Sequence, residues 1–457
     1  MTFKPLAASV FVALAGAGLF VSGPAFAQDD DAGAASSMQQ KIKAMQAEID
    51  ALQVQLDALK RKQAASTDAS DQKMASTPED GDEEGDTQAA KQQVAKADTS
   101  TSHTQDTGIT LGGAMRFQYS YEDYNNENVR RVGDTDFDIF RLDLHGKVHG
   151  IILDAQWRWF QYMSSIQHAW VGYDFDDKQQ LQVGLTRIPF GNQPYNSHNY
   201  FFSSNYYLGL EDTHAMGAEY VYAGKRWNVQ LAFFKNDSTG GVDAAGNRTH
   251  TYSYNVLGVR APGEDIYAAP SHPAGAVDTS AVRVARIFTP SSDVSVEVGA
   301  SGLYGGLDDA SSRIGHYYAA ALHTNVNVGN WNFQAQWSRY DYATDRHATR
   351  LAVGAYAFYD TIAARADSYT LNARYHLPVS WGPIAGLDFY NDYSLVTNKS
   401  GMLPSTFMDV LGVGVSAGDL YTYFDFVTAR NQPFIGGSMA GDGEVEHRLN
   451  INFGFYF

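Results

Sequence analysis

Apolar and polar residues alternate along the last eleven positions of the chain, His447 to Phe457. Leu449, Ile451, Phe453, Phe455 and Phe457 fall on one face, and Arg448, Asn450, Asn452, Gly454 and Tyr456 on the other. Side chains of a strand alternate with a period of two, so this pattern predicts a strand with one apolar and one polar face. Its length suits a tilted membrane-spanning strand, which needs about 9–11 residues. Five apolar residues on one face, with no later element to cover them, predict the closing strand of an outer-membrane barrel, apolar toward lipid and polar toward a lumen.

The same pattern recurs upstream. Leu111, Met115, Phe117 and Tyr119 alternate with Gly112, Ala114, Arg116 and Gln118; Phe140, Leu142, Leu144 and Val148 with Arg141, Asp143, His145 and Lys147. Leu153, Ala155, Trp157 and Trp159 alternate with Asp154, Gln156 and Arg158. Further runs lie at 180–185, 227–233, 294–299, 331–337 and 369–377. Turn residues separate them, as at Asp176-Asp177-Lys178, Ala223-Gly224-Lys225, Pro290–Asp293 and Val328-Gly329-Asn330. These links are short, as periplasmic turns are, whereas Tyr124–Asp134 and Asn236–His250 are longer and polar, as extracellular loops are. The predicted fold is an all-β transmembrane barrel over 107–457. At roughly 22 residues per strand with its share of loop, about 16 antiparallel strands fit, a size that leaves a water-filled channel.

The first 106 residues read differently. Met1–Ala27 has a lysine near its start, an apolar core from Leu6 to Val21 and an Ala25-Phe26-Ala27 cleavage site, which predicts a secretory signal over 1–27. Within 28–62, Ile42, Met45, Ile49, Leu52, Leu56 and Leu59 are spaced as an a/d heptad seam. About three heptads are marginal as an isolated helix, so a short periplasmic coiled coil between copies of the chain is expected. Residues 63–106 are polar, with an acidic run at Glu79–Asp86, and predict a disordered linker. The acidic run lacks the spacing of a calcium loop.

Net charge is −18, which argues against a nucleic-acid partner. There is no cysteine, so no disulfide framework and no thiolate metal site. Tyr 28, Phe 25 and Trp 7 match the aromatic girdles of a barrel. Alternation turns Arg116, Arg141, Lys147, Arg158, Arg374 and Arg448 toward the lumen, together with Asp143, Asp154, Glu219 and Asp425. A mixed row of this kind pairs within itself, or it offers arginine forks to carboxylate or phosphate. His145 and His149 are spaced about 13 Å apart on a strand at ~3.3 Å per residue, too far for one metal. No cofactor or metal is expected.

The stretch Val183-Gly184-Leu185-Thr186-Arg187-Ile188-Pro189-Phe190-Gly191 resembles the strand end and turn of the phosphate-selective porin O and P family. Tyr421–Phe426 and the succession of signal, short coiled coil, polar linker, barrel and terminal Phe are similar to that family too. The resemblance implies a trimeric, 16-stranded channel of the Gram-negative outer membrane with one long loop folded inward. The loop after the turn, Asn192–Leu210, is then the constriction candidate. It carries Tyr195, Tyr200, Phe201 and Tyr206, which pack it against the wall or face a solute. Only five lysines lie beyond residue 107 and the barrel segment is net acidic, a departure from what phosphate selectivity draws on.

Glycine-rich phosphate loops are absent, and no Ser/His/Asp or paired-carboxylate site can be assembled at the barrel rim, so a barrel enzyme is disfavoured. The expected partners are outer-membrane lipid and small hydrophilic solutes or anions. Alternatives are a sugar-preferring pore, from the Tyr/Phe loop, or a barrel tethered to the cell wall through the coiled coil.

Overall fold

Alternation dictates the strands, and the strands close on themselves. The computed structural model describes residues 108–243 and 246–457. The chain divides into two units, Met1–Glu83 and Glu84–Phe457, and every described residue belongs to the second. The expected signal, heptad helix and linker fall outside the described residues.

Twenty strands follow in order: β1 (Gly108–Glu122), β2 (Asp134–Val148), β3 (Ile151–Trp159), β4 (Ser164–Asp176), β5 (Gln179–Arg187), β6 (His214–Ala223), β7 (Trp227–Asp237), β8 (Asn255–Val259), β9 (His272–Pro273), β10 (Gly275–Ser291), β11 (Val294–Asp308), β12 (Arg313–Val328), β13 (Trp331–Thr344), β14 (Arg350–Ala355), β15 (Phe358–Ala363), β16 (Arg365–Trp381), β17 (Ile384–Thr397), β18 (Thr406–Ala417), β19 (Leu420–Arg430) and β20 (Val445–Tyr456). Sixteen of them form one closed antiparallel barrel, and β20 pairs with β1 to close it. The other four, β15-β14-β8-β9, make a small sheet within two of the long connections. Two short helices, α1 (Asn126–Arg131) and α2 (Ser204–Tyr207), also lie in connections.

The faces sort as the alternation requires. Along β13, Trp331 and Phe333 are 46% and 42% exposed, whereas Asn332 and Gln334 between them are 6% and 7% exposed. Polar groups are therefore gathered inside and apolar ones outside, the inverse of a soluble fold. Trp227 and Trp331 stand at the strand ends beside the short turns, and Tyr304, Tyr318 and Tyr369 lie outward nearer the long connections. These are the two aromatic girdles of a spanning barrel.

Seven turns of two or three residues lie on one rim, and β1 begins and β20 ends there. The opposite rim carries the eight other connections, of which 188–213, 238–274 and 345–364 are the longest. Two β-bulges break the alternation near the first strands. One slips the β1–β2 register at Arg116, which pairs Arg116 with Ile139 and Phe117 with Phe137 and leaves Asp138 as the extra residue. The other slips β3 against β4 and leaves Gln167 as the extra residue.

Candidate functional site

The site begins at the turn after β5. Gly191 adopts φ 62°, the left-handed region that glycine enters at little cost. Its N–H donates to Ser301 Oγ at 3.0 Å, and its carbonyl accepts from Arg283 Nε at 2.7 Å. The next N–H, of Asn192, donates to Gln336 Oε1 at 2.7 Å. The chain is thereby bent off the wall strand and laid across the lumen.

From there the loop is held by the far wall. The Asn372 amide donates to the Asn196 carbonyl at 2.8 Å. Asp392 on β17 accepts from the backbone N–H of His198 at 2.6 Å and of Asn199 at 2.9 Å, and its carboxylate also meets His198 Nδ1 at 2.7 Å. Tyr200 N–H donates to Asp425 at 3.2 Å. Glu211, on the returning arm, accepts from Asn196 N at 2.9 Å and Ser203 Oγ at 2.5 Å, so the loop is closed on itself. A buried carboxylate that gathers two or three N–H donors fixes a loop well, because each donor left alone would cost ~1–3 kcal/mol.

The loop leaves an opening against the wall formed by β20, β1, β2 and β3. There the structure places a cavity of about 440 Å³, and four of the six expected lumen cations line it: Arg116, Arg141, Arg158 and Arg448. All four loop residues read from the sequence, Tyr195, Tyr200, Phe201 and Tyr206, line it as well. Phe201 and Tyr206 are also buried, so their rings pack the loop as well as bounding the opening. Tyr206 stacks on Phe202 with centroids 4.4 Å apart, and its hydroxyl donates to the Tyr252 carbonyl at 2.7 Å.

Each arginine is held differently. Arg116 Nε lies 2.7 Å from Asp138 Oδ2, with its guanidinium over the Tyr200 ring. Arg141 Nη2 pairs with Asp143 at 2.6 Å, and Arg448 Nη1 with Glu122 at 3.0 Å. Arg158 donates from Nε to Gln156 at 2.6 Å and from Nη2 to Gln167 at 2.7 Å, over the Tyr252 ring at 4.3 Å. Its partners among the described residues are amides and a ring, without a carboxylate within ion-pair distance. Lys147 and Arg374 are not part of this cavity. Lys147 pairs with Asp174 at 3.1 Å beside the β2–β3 turn, and Arg374 lies 3.7 Å from Asp388.

Several contributors escape the alternation. Asp138 receives the Tyr200 hydroxyl at 2.8 Å and the Asn452 amide at 3.0 Å besides Arg116. Strict alternation would turn it outward with Phe140; the bulge turns it inward. Gln167 reaches Arg158 for the same reason. Phe160 and Tyr162, between β3 and β4, and Phe434, between β19 and β20, also line the cavity, and such connections carry no periodic signal. Among the described residues no cluster of metal-ligating side chains occurs.

The fold and this inward loop can be set beside known proteins. No curated protein sequence is similar enough to match the chain. Among solved structures, the anion-selective porin from Comamonas acidovorans superposes with a TM-score of 0.50 at 12% identity, covering 77% of this chain and 100% of that one. DcaP, an outer membrane channel of Acinetobacter baumannii, gives 0.47 at 11% identity over 78% of this chain and 99% of its own. OmpT, an outer membrane protein of Vibrio cholerae in trimer form, gives 0.48 at 11% over 77% and 100%. The first of these shows the shared barrel fold. The family model "Phosphate-selective porin O and P" matches residues 111–363, more than half of the chain. On that match the chain belongs to the phosphate-selective porin O and P family, and the protein is an outer-membrane porin, a passive diffusion channel.

Proposed function

We propose that this porin prefers anions, and that the row Arg448, Arg116, Arg141 and Arg158, facing the 188–213 loop, is its selectivity element. The observation that carries the reading is that all four guanidiniums line one cavity bounded by that loop. Charges at a constriction set which ions pass, because there an ion cannot keep its distance from the wall. Arginine suits the task through its fixed donor fork. Lys147 and Arg374 act as outlying lumen cations, each beside a carboxylate, and contribute to the approach rather than to the narrowest point. The role is a pore without catalysis.

Three copies assemble in this reading, as the family resemblance implies. The stacked Trp157 and Trp159 rings and nearby Phe140 on the outer face of β2 and β3 offer an apolar contact. Residues 28–62 form a periplasmic coiled coil and 63–106 a linker, after removal of 1–27. Support comes from β1, whose first residue lies on the short-turn rim.

The test is a planar-bilayer recording of purified protein under a salt gradient. A stable conductance with a zero-current potential on the anion side is expected. Conductance without anion preference leaves a general or sugar-preferring porin, and folded protein without conductance removes the channel reading.

A further inference from the structure

We infer that the constriction favours a monovalent aromatic carboxylate over inorganic phosphate. This deepens the anion-porin reading above and rests on it.

The charges limit the guest to about one negative charge. Three of the four arginines already hold a carboxylate each: Asp138, Asp143 and Glu122. Asp138 and Glu122 line the cavity themselves, and Asp136 joins them, exposed near the extracellular end of β2. A dianion would meet these three carboxylates at close quarters. Arg158 is the exception: Nε and Nη2 are engaged by glutamine amides, while Nη1 has no partner among the described residues. One uncompensated guanidinium with a free donor edge suits one carboxylate.

Most of the remaining lining is ring, beside the polar Gln118, Gln161, Ser197 and Asn199. Phe160 and Tyr162 come from the β3–β4 connection, Tyr195 and Phe202 from the inward loop, and Tyr356 and Phe434 from two further extracellular connections. Tyr162 and Phe434 keep 57% and 40% of their surface exposed, so ring faces remain available. Phosphate is strongly hydrated and gains nothing from a ring face. An aromatic body gains ~0.5–1.5 kcal/mol for each well-placed ring pair beyond its area burial. A 440 Å³ cavity admits a substituted ring with some of its water.

The test uses the full-length protein in planar bilayers, with current block by benzoate and by inorganic phosphate titrated side by side. Benzoate is expected to half-block at a concentration at least about threefold lower than phosphate, the ratio worth one ring contact. Tyr195→Ala and Phe202→Ala are each expected to raise the benzoate value roughly threefold to tenfold while shifting phosphate by less than about twofold. Should those loop variants fail to fold, Tyr162→Ala, on an exposed connection, reads the same contact. Block by phosphate or by a neutral sugar equal to that by benzoate overturns the inference and leaves the porin standing. Absence of any conductance overturns both.

Discussion

Arg141 and Arg158 stand directly opposite each other across the β2–β3 ladder, both turned into the lumen. Like charges placed directly opposite destabilise a sheet by ~0.2–1 kcal/mol. Asp143 holds the first, and Gln156 with Gln167 holds the second. A strand pair built for stability alone would not carry two cations there. Such local conflicts gather at functional sites.

Arg158→Gln therefore separates function from stability. An anion passing ~5 Å from that charge, at an effective dielectric between 20 and 80, gains ~1–3 kcal/mol. The anion-to-cation permeability ratio, read from the zero-current potential, is expected to fall about fivefold or more. Thermal unfolding is expected to hold or rise by up to ~1 kcal/mol, since the cross-strand repulsion is relieved. A ratio that stays unchanged would remove Arg158 from the selectivity element.

Asp392 holds the inward loop from the far wall. It is 4% exposed and takes the N–H groups of His198 and Asn199 together with the Asn199 amide at 2.8 Å. Asp392→Ala leaves these donors alone in a buried place, at a cost of ~3 kcal/mol. Single-channel recordings should then show larger and noisier currents, because the loop leaves the far wall. A quiet, unchanged conductance would mean that Gln336, Asp425 and Glu211 suffice to hold it.

Gly191 tests the start of the same loop. A Cβ there would fall on the Gln336 carboxamide, the group that receives the Asn192 N–H, and φ is already left-handed. Gly191→Ala is expected to cost ~1–3 kcal/mol in thermal stability through strain at that backbone position. It should also change conductance, because the first anchor moves. An intact conductance in Gly191→Ala would show that the later anchors alone set the aperture.

Three connections of the long-connection rim are joined around one buried amine. Lys399 Nζ donates to Thr406 Oγ1 and to the Met439 carbonyl, both at 2.6 Å, and Asp360 holds the Ser438 hydroxyl and the Met439 N–H. Burial lowers the Lys399 amine to about 7, against the pull of Asp360, with Arg430 lowering it further. Burial raises the Asp360 carboxyl to about 6, against the Ser438 hydrogen bond. Between about 7 and the ordinary lysine value the unfolded chain binds the extra proton, so this lysine favours the folded loops increasingly as pH rises through that window. Below about 7 its unfavourable contribution is at full size. The stability difference between the native protein and Lys399→Met should rise from pH 7 toward pH 10, measured by hydrogen exchange of 398–405 and 431–444. A flat difference would mean that the amine is hydrated in solution.

The barrel was legible in the sequence because its signal is periodic and cumulative. The runs read at 111–119, 140–148 and 331–337 fall within β1, β2 and β13, and the four short turns lie where strands reverse. β4 and β12 gave weaker signals, since a bulge interrupts the first and alanines dilute the second. The small sheet of β8, β9, β14 and β15 was missed, because β8 and β14 are buried on both faces and show no alternation, and β9 is only two residues long. At the site, Arg116, Arg141, Arg158 and Arg448 followed from alternation and Tyr195–Tyr206 from the resemblance. Asp138 and Gln167 did not, because each sits where a bulge reverses inside and outside.

The seam between β20 and β1 carries the last prediction. Phe457 N–H donates to the Gly113 carbonyl at 3.1 Å, and the Phe457 carbonyl accepts from Gly113 N–H at 2.8 Å. A Cβ at Gly113 would strike the Arg141 carbonyl and the Phe457 ring, so the seam needs glycine there. Deleting Phe457 removes both backbone bonds, worth ~1–3 kcal/mol together, and bares the end of an edge that closure otherwise abolishes. Phe457→Ala keeps the bonds and loses only the ring. Refolding into detergent micelles, followed by the heat-resistant folded band on gels, should be impaired by the deletion and close to normal for Phe457→Ala. In cells both variants should assemble poorly if the terminal aromatic is read during insertion, and only the deletion should if the seam alone matters. Equal and normal refolding of both variants would show that the barrel closes without its last residue.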